Sequence, residues 1–191
     1  MMRKILILLL LSTSLAAFAQ QVDDIALKDA GSGSQFNMSG LRQGNGAVII
    51  FFGNKCAYNK YYINRINNLE KEFKSRNINF VLVNSYSSTL VAEESEVNMK
   101  NLLRANGISL PYLVDKDKIL KKRLGATRSP EAFLLKFSGS EYKILYSGAI
   151  DDSPQSESDI NHPYLRQAII SLLENSTPEL NHVRPAGCLI R

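Results

Sequence analysis

The chain has 191 residues, 45% of them hydrophobic, which predicts one globular domain with a sizeable core. Its net charge of +5 at pH 7 comes partly from the start of the chain, partly from a central basic segment and partly from the tail. No aromatic residues alternate with these basic ones and no groove-reading motif is present, so we expect no nucleic-acid partner despite the positive charge.

The start of the chain has the pattern of a secretory signal peptide. Arg3 and Lys4 precede an apolar run over 5–11, and Ala17–Ala19 fits the small-x-small cleavage pattern, so we expect cleavage after Ala19. The apolar run is shorter than the roughly 20 residues that a membrane span needs. We therefore expect an exported chain that is free of the membrane after cleavage, in a bacterial periplasm, with full secretion left open.

The mature chain alternates strand and helix patterns. A continuous apolar run over 47–52 indicates a strand buried on both faces, and apolar residues at helical spacing follow it. Two further strands, near 78–85 and 110–115, alternate with helices that end at Gly107 and Gly125. A predicted hairpin turning at 139–140 and a closing helix over about 161–174 follow.

This order predicts an α/β protein with a thioredoxin-like fold, in which helices flank a central mixed β-sheet. We assign residues 20–174 to this domain and residues 175–191 to an extended C-terminal tail that carries Cys188. The tail contains two prolines and shows no periodicity.

Cys56 lies where the first buried strand turns into a helix. The N-terminus of a helix favours the thiolate form of a cysteine, which is the nucleophile. A dithiol enzyme would carry a second cysteine three places later, where this chain has Asn59. Cys188 is the chain's other cysteine, and an even count in an exported protein permits one disulfide. Such a bridge would close a long loop and stabilise the fold by about 4–5 kcal/mol in the chain-entropy account.

Pro130 stands at the start of the first hairpin strand. Its position is similar to that of the cis-proline of thioredoxin-like proteins, which faces the active cysteine. The resemblance implies that Ser129 offers its backbone to an extended substrate beside the sulfur. A trans proline that opens an edge strand is the alternative.

Several short motifs, in the same order, resemble the redoxin group of the thioredoxin superfamily, known as alkyl hydroperoxide reductase/thiol-specific antioxidant, and its peroxiredoxin-like proteins. They are Cys56–Tyr58 with Tyr62 and Arg65, Pro111–Leu113, Ser129–Phe133, Gly148–Asp152 and Gly187–Arg191. The resemblance implies an antioxidant or oxidoreductase activity at a redox-active centre. The chain departs from the family's pattern in two places: Ala57 replaces the proline after the cysteine, and Asn59 holds the place of a dithiol enzyme's resolving cysteine. In addition, Gly53 stands where peroxiredoxins proper have a threonine.

The resemblance implies a thiol-dependent oxidoreductase in which Cys56 attacks a disulfide or a peroxide and Cys188 resolves the product. A partner protein with a thiol or disulfide, or a peroxide, would be the substrate. Three states of Cys188 stay open: a redox partner of Cys56, a permanent staple, and an unpaired thiol. The alternative function is a non-catalytic binding module that keeps the fold and a structural Cys56–Cys188 disulfide.

Two further side chains are candidates for the rim of this site. Arg128 precedes Ser129, where a cation would stabilise a thiolate, and Tyr58 follows Cys56 closely. The two histidines are too few for a metal site, and no flavin, nicotinamide or phosphate-binding fingerprint is present, so we expect neither a metal nor a cofactor.

Overall fold

The computed structural model describes residues 25–86, 91–139 and 141–191. The predicted signal peptide lies outside these residues. Within these residues there are ten strands: β1 Ala26–Asp29, β2 Gln35–Asn37, β3 Gly46–Phe51, β4 Ile78–Asn84, β5 Tyr112–Val114, β6 Arg128–Ser129, β7 Glu131–Ser138, β8 Glu141–Gly148, β9 His182–Val183 and β10 Cys188–Leu189. The same part of the chain forms four α-helices: α1 Asn59–Lys74, α2 Glu96–Ala105, α3 Ile119–Leu124 and α4 Tyr164–Leu173.

Eight strands form one mixed sheet in the order β2-β1-β5-β4-β3-β7-β8-β9. The central strands β3, β4 and β5 run parallel, as the alternation of strand and helix predicts. β7 lies antiparallel to β3 and forms a hairpin with β8. All six residues of β3 are buried, which confirms the strand covered on both faces.

Helices cover both faces of this sheet. Tyr62 and Ile66 of α1 pack with α2 and α4 in the apolar cluster that contains Val48 and Ile50. Ala47, Ile49 and Phe51 of β3 face a second apolar cluster on the other side of the sheet, which includes residues of α3 and of a short 3-10 helix at Met38–Gln43. The alternation of β3 between two clusters makes this strand the centre of the core.

A buried ion pair links α1 to the end of the hairpin. Arg65 donates from Nη1 to both carboxylate oxygens of Asp151 at 2.9 Å, and the two side chains are only 5% and 3% exposed. Burial raises the pKa of Asp151, and the hydrogen bonds and charge of Arg65 oppose that shift. Arg65 thus ties α1 to the end of the hairpin.

The end of the chain is more ordered than its sequence indicates. β9 adds to the sheet parallel to β8, and β10 pairs antiparallel with β6 in a separate two-stranded sheet. Strands of two residues are too short to produce an alternating pattern, so the sequence gives no sign of them. The closing helix begins at Tyr164, three residues later than expected, because Pro163 disfavours a helical conformation in the residue before it.

Candidate active site

Cys56 lies in the loop between β3 and α1, as predicted. The residue is 6% exposed. Its N–H donates to the carbonyl of Gly53 at 3.4 Å, and its carbonyl accepts from the N–H of Asn59 at 3.0 Å. The loop therefore closes directly onto the first turn of α1, a 16-residue helix whose N-terminus favours negative charge on the sulfur.

Cys56 and Cys188 form a disulfide, which rules out the unpaired thiol among the three states that the sequence leaves open. The S–S distance is 2.08 Å and the Cα atoms are 5.8 Å apart, although the residues are 132 positions apart in the chain. The fold therefore brings the C-terminal tail to the strand-to-helix turn where the sequence predicts a reactive cysteine.

The peptide bond between Ser129 and Pro130 is cis, as the resemblance implied. The Ser129 carbonyl oxygen lies 3.0 Å from Cys56 Sγ. In the disulfide the sulfur carries no proton, so this is a close contact, whereas the reduced thiol has a proton to donate to the same oxygen. β6, which ends at Ser129 immediately before Pro130 and is called the cis-proline strand below, thus borders the sulfur directly.

The hydroxyl of Ser129 joins the cis-proline strand to the cysteine loop. Its Oγ accepts from the N–H of Gly53 and from Nδ2 of Asn59, each at 2.8 Å, and Ser129 is fully buried. Asn59 also donates to the Gly53 carbonyl. The residue in the usual place of a resolving cysteine is therefore a crosslink within the site, which sequence reasoning missed.

The buried carboxylate of Glu94 supports the loop that carries Cys56. Glu94 is 3% exposed and accepts from the N–H groups of Asn54 at 2.7 Å and Lys55 at 3.0 Å. It also accepts from Asn84 Nδ2 at 2.7 Å. Each oxygen has at least one donor, so Glu94 fixes the backbone immediately before Cys56.

Two tyrosines complete this support. Tyr112 donates its hydroxyl to the Phe52 carbonyl at 2.6 Å, and complete burial raises its pKa well above the ordinary value. Burial, with the nearby Glu94 charge, raises the pKa of Tyr86 to about 12. Both phenols therefore stay protonated as donors near neutral pH. Glu94 and Tyr86 were missed because their segment reads as polar surface.

The C-terminal tail docks on β6 as a short antiparallel strand. Cys188 lies opposite Ser129, and Leu189 lies opposite Arg128. The Ile190 N–H donates to the Thr127 carbonyl at 2.9 Å, and the Tyr86 hydroxyl donates to the Cys188 carbonyl at 3.3 Å. A backbone hydrogen bond thus holds the tail after the disulfide, and the Tyr86 side chain holds it at Cys188 itself.

Arg128 binds the tail through its side chain. Its Nη1 donates to the Gly187 carbonyl at 2.7 Å, one residue before Cys188. Glu131 fixes the backbone of the same strand, because its Oε2 accepts from the N–H groups of Thr127 at 2.7 Å and Arg128 at 2.8 Å. Tyr58 is half-buried at the residue before α1. The part of Tyr58 in substrate binding stays a prediction, as does that of Arg128 in stabilising a thiolate.

Neither a metal-ligand cluster nor a membrane-spanning helix is found among the described residues. Across 25–86, 91–139 and 141–191, no three histidine, cysteine or acidic side chains are grouped as a metal site would need. No helix in the described part of the chain has the length and hydropathy to cross a membrane.

Two solved structures share this fold over most of their length. An uncharacterized conserved protein from Geobacillus kaustophilus has a TM-score of 0.81 at 24% identity, with coverage of 91% of this chain and 90% of that one. A hypothetical protein from Sinorhizobium meliloti 1021 has a TM-score of 0.79 at 23% identity, with coverage of 90% and 92%. Together with the sheet order, these likenesses confirm the thioredoxin-like fold.

Sequence comparison gives a relative and a family. The thiol-disulfide oxidoreductase ResA of Bacillus subtilis (strain 168) is 25% identical over 122 residues, which are 64% of this chain. The match spans 63% of the length of ResA. The sequence profile of the AhpC/TSA family matches residues 18–146, which include the Cys56 loop and the cis-proline strand. The chain therefore belongs to the AhpC/TSA family.

Proposed function

We propose that this protein is a thiol-disulfide oxidoreductase that uses Cys56 and Cys188 as its redox pair. The observation that carries the proposal is the Cys56–Cys188 disulfide beside the cis-proline strand, with the Ser129 carbonyl 3.0 Å from Cys56 Sγ. An activity of this kind is the one named for ResA, the Bacillus subtilis relative.

The reaction starts from the reduced protein. The Cys56 thiolate attacks one sulfur of a substrate disulfide, so a Cys56–substrate disulfide forms and the first substrate thiolate leaves. The Cys188 thiolate then attacks Cys56 Sγ, which forms the Cys56–Cys188 disulfide and releases the second substrate thiolate. Two electrons pass from the protein to the substrate, and an external dithiol protein restores the reduced form.

The position of Gly53 favours disulfide exchange over peroxide reduction. Peroxiredoxins have a threonine three places before their cysteine, and Gly53 holds that place here. A Cβ added to Gly53 would lie 2.4 Å from the ring of Tyr86. Because real Cβ atoms essentially never come so close to another heavy atom, the loop in this conformation has no room for a threonine side chain.

A non-catalytic binding module is the second candidate. It is favoured by the low exposure of Cys56, 6%, and by the tail, which covers the cis-proline strand. In that case the Cys56–Cys188 disulfide is a permanent staple that resists mild reductants.

Export completes the proposal. The basic start, the apolar run and the Ala17–Ala19 site support cleavage after Ala19 and release into the periplasm. N-terminal sequencing of protein from the periplasmic fraction should begin at Gln20. A full-length N-terminus recovered with the cytoplasm would contradict export.

Disulfide exchange is tested by turnover of insulin and of hydrogen peroxide, measured side by side with a dithiol reductant. We expect insulin reduction by the unaltered protein, its loss in Cys56→Ser, and accumulation of a mixed disulfide in Cys188→Ser, seen by intact mass. Leu189→Ala, which alters a half-exposed neighbour of Cys188, is the matched control and should retain turnover. Peroxide turnover without insulin reduction would replace the proposal with a peroxidase.

Iodoacetamide alkylation of the reduced protein across pH separates the two candidate functions. An oxidoreductase requires a Cys56 thiolate that forms well below the ordinary thiol pKa of about 8.5. An ordinary pKa, with neither substrate turned over, would establish the binding module.

A further inference from the structure

We propose that the groove along β6 selects a partner segment with the pattern glycine, cysteine, any residue, aliphatic residue, and that the C-terminal tail is a tethered copy of that partner. The inference rests on the proposed function, because the partner's cysteine would take the place of Cys188 in a disulfide with Cys56. The partner is thus an extended segment of another protein, bound by backbone pairing and by two side-chain constraints.

The backbone contacts of the tail are of a kind that any extended chain can make. Cys188 lies opposite Ser129, the Ile190 N–H donates to the Thr127 carbonyl, and Arg128 donates to the Gly187 carbonyl. None of these contacts uses a tail side chain. They fix the direction and register of an added strand, and sequence selection has to come from its side chains.

The first constraint acts at the residue before the cysteine. A Cβ built on Gly187 would lie 2.2 Å from the Ser129 carbonyl oxygen and 2.7 Å from its carbonyl carbon. These are backbone atoms, which the hydrogen bonds from Gly53 and Asn59 to the Ser129 side chain help to hold in place. Gly187 also has a φ of +157°, which side-chain-bearing residues rarely adopt. The groove therefore favours glycine over every residue with a Cβ at the position before the cysteine.

The second constraint acts two residues after the cysteine. Ile190 is 5% exposed and belongs to the apolar cluster that contains Phe51, Ala126 and Phe133. Leu189, between Cys188 and Ile190, is 52% exposed. An aliphatic side chain is thus required at the second position after the cysteine, whereas the first position tolerates polar residues.

The tail and the partner cannot occupy this groove together. Formation of the Cys56–Cys188 disulfide docks the tail opposite Ser129, where the partner strand would lie. The attack of Cys188 on the Cys56–partner disulfide therefore breaks the covalent bond and also replaces the partner strand in the groove. Cys188 reaches Cys56 only as the tail displaces the partner strand, so resolution of the disulfide and release of the partner are coupled.

The test measures which peptide the reduced Cys188→Ser protein prefers at Cys56. The probes are a synthetic copy of residues 184–191 and three variants of it, carrying Gly187→Ala, Leu189→Asn or Ile190→Asn. The parent and one variant are mixed in equal amounts with the protein in a glutathione redox buffer. Intact mass then gives the ratio of the two Cys56 adducts at equilibrium. The protein's own tail, which carries the Cys188→Ser change, competes equally with both peptides, so its effect cancels.

We expect the parent adduct to exceed the Ile190→Asn adduct by about 10- to 100-fold, the range that corresponds to burial of one aliphatic side chain. It should exceed the Gly187→Ala adduct by about tenfold or more. The Leu189→Asn adduct should equal the parent adduct within about twofold. Ratios near one for all three variants would overturn the selectivity while leaving the exchange chemistry intact. Absence of any adduct, including that with glutathione, would overturn the proposed function and this inference together.

Discussion

Replacement of Ile190 by alanine should weaken the Cys56–Cys188 disulfide. Ile190 is 5% exposed, so the change removes three buried carbon groups at about 0.8 kcal/mol each. If the tail leaves the groove on reduction, the oxidised state alone loses this stabilisation. Allowing for some contact in the reduced state, we expect a loss of about 2 kcal/mol, which is about 30-fold in the equilibrium constant with glutathione. The reduction potential should become about 40 mV less negative.

The assay equilibrates each protein in a series of glutathione redox buffers, quenches with acid, alkylates the free thiols and counts them by intact mass. Leu189→Ala is the matched control, because Leu189 is the neighbouring aliphatic residue and is 52% exposed. Its equilibrium constant should stay within about twofold of the unaltered protein, as for other surface substitutions.

One result would refute the reasoning. If Ile190→Ala lowers the free energy of unfolding equally in both redox states and leaves the equilibrium constant unchanged, the tail stays docked after reduction. The groove would then be closed to a partner in either redox state, and the proposal that tail and partner compete for it would be wrong.

Three other substitutions test the support of the site and the fold. Asp151→Asn should lower the free energy of unfolding by about 3–5 kcal/mol, because it leaves the charge of Arg65 buried without a counter-ion; a loss below about 1 kcal/mol in urea unfolding would contradict this. Gly53→Ala should lower it by about 1–3 kcal/mol and slow insulin reduction, because its Cβ would meet the Tyr86 ring at 2.4 Å; an unchanged rate would contradict the tight loop. Burial is the largest single influence on the pKa of Asp29 and raises it, but four hydrogen bonds to the carboxylate together outweigh burial, so the pKa lies below 3.8. The ionised carboxylate therefore stabilises the fold above that pH. The stability difference between the unaltered protein and Asp29→Asn should be full near pH 6 and shrink as the pH falls below 3.8, and a difference that grows on acidification would contradict the assignment.

The elements that the sequence predicts correctly are those with a long, regular pattern. The apolar run over 47–52 predicts β3. Helical spacing of apolar residues predicts α1, at Tyr62, Ile66, Leu69 and Phe73. Each pattern extends over several residues that are buried in the same core, so the type of element can be predicted without knowing the rest of the chain.

The parts that the sequence does not predict depend on single contacts between distant residues. Glu94 looks like a surface residue in an acidic segment, yet three donors from the Cys56 loop and β4 surround its carboxylate. Asn59 shows only that a cysteine is missing, and its crosslink to Ser129 needs the fold to bring together residues that are 70 positions apart. Such contacts leave no periodic trace in the chain.

The position of Cys188 on a docked strand gives this site a property that a dithiol on one helix lacks. When both cysteines lie in the first turn of a helix, the second thiol stays beside the first whatever occupies the groove. Here the second thiol reaches Cys56 with the strand that pairs with Ser129, and the disulfide is held by contacts on both sides, from Arg128 to Gly187 and from Ile190 to Thr127. Under the proposed mechanism, a partner that binds the groove tightly slows its own release, because it delays the docking of the tail. Partners of intermediate affinity should be turned over fastest, and the strength of tail docking sets where that optimum lies.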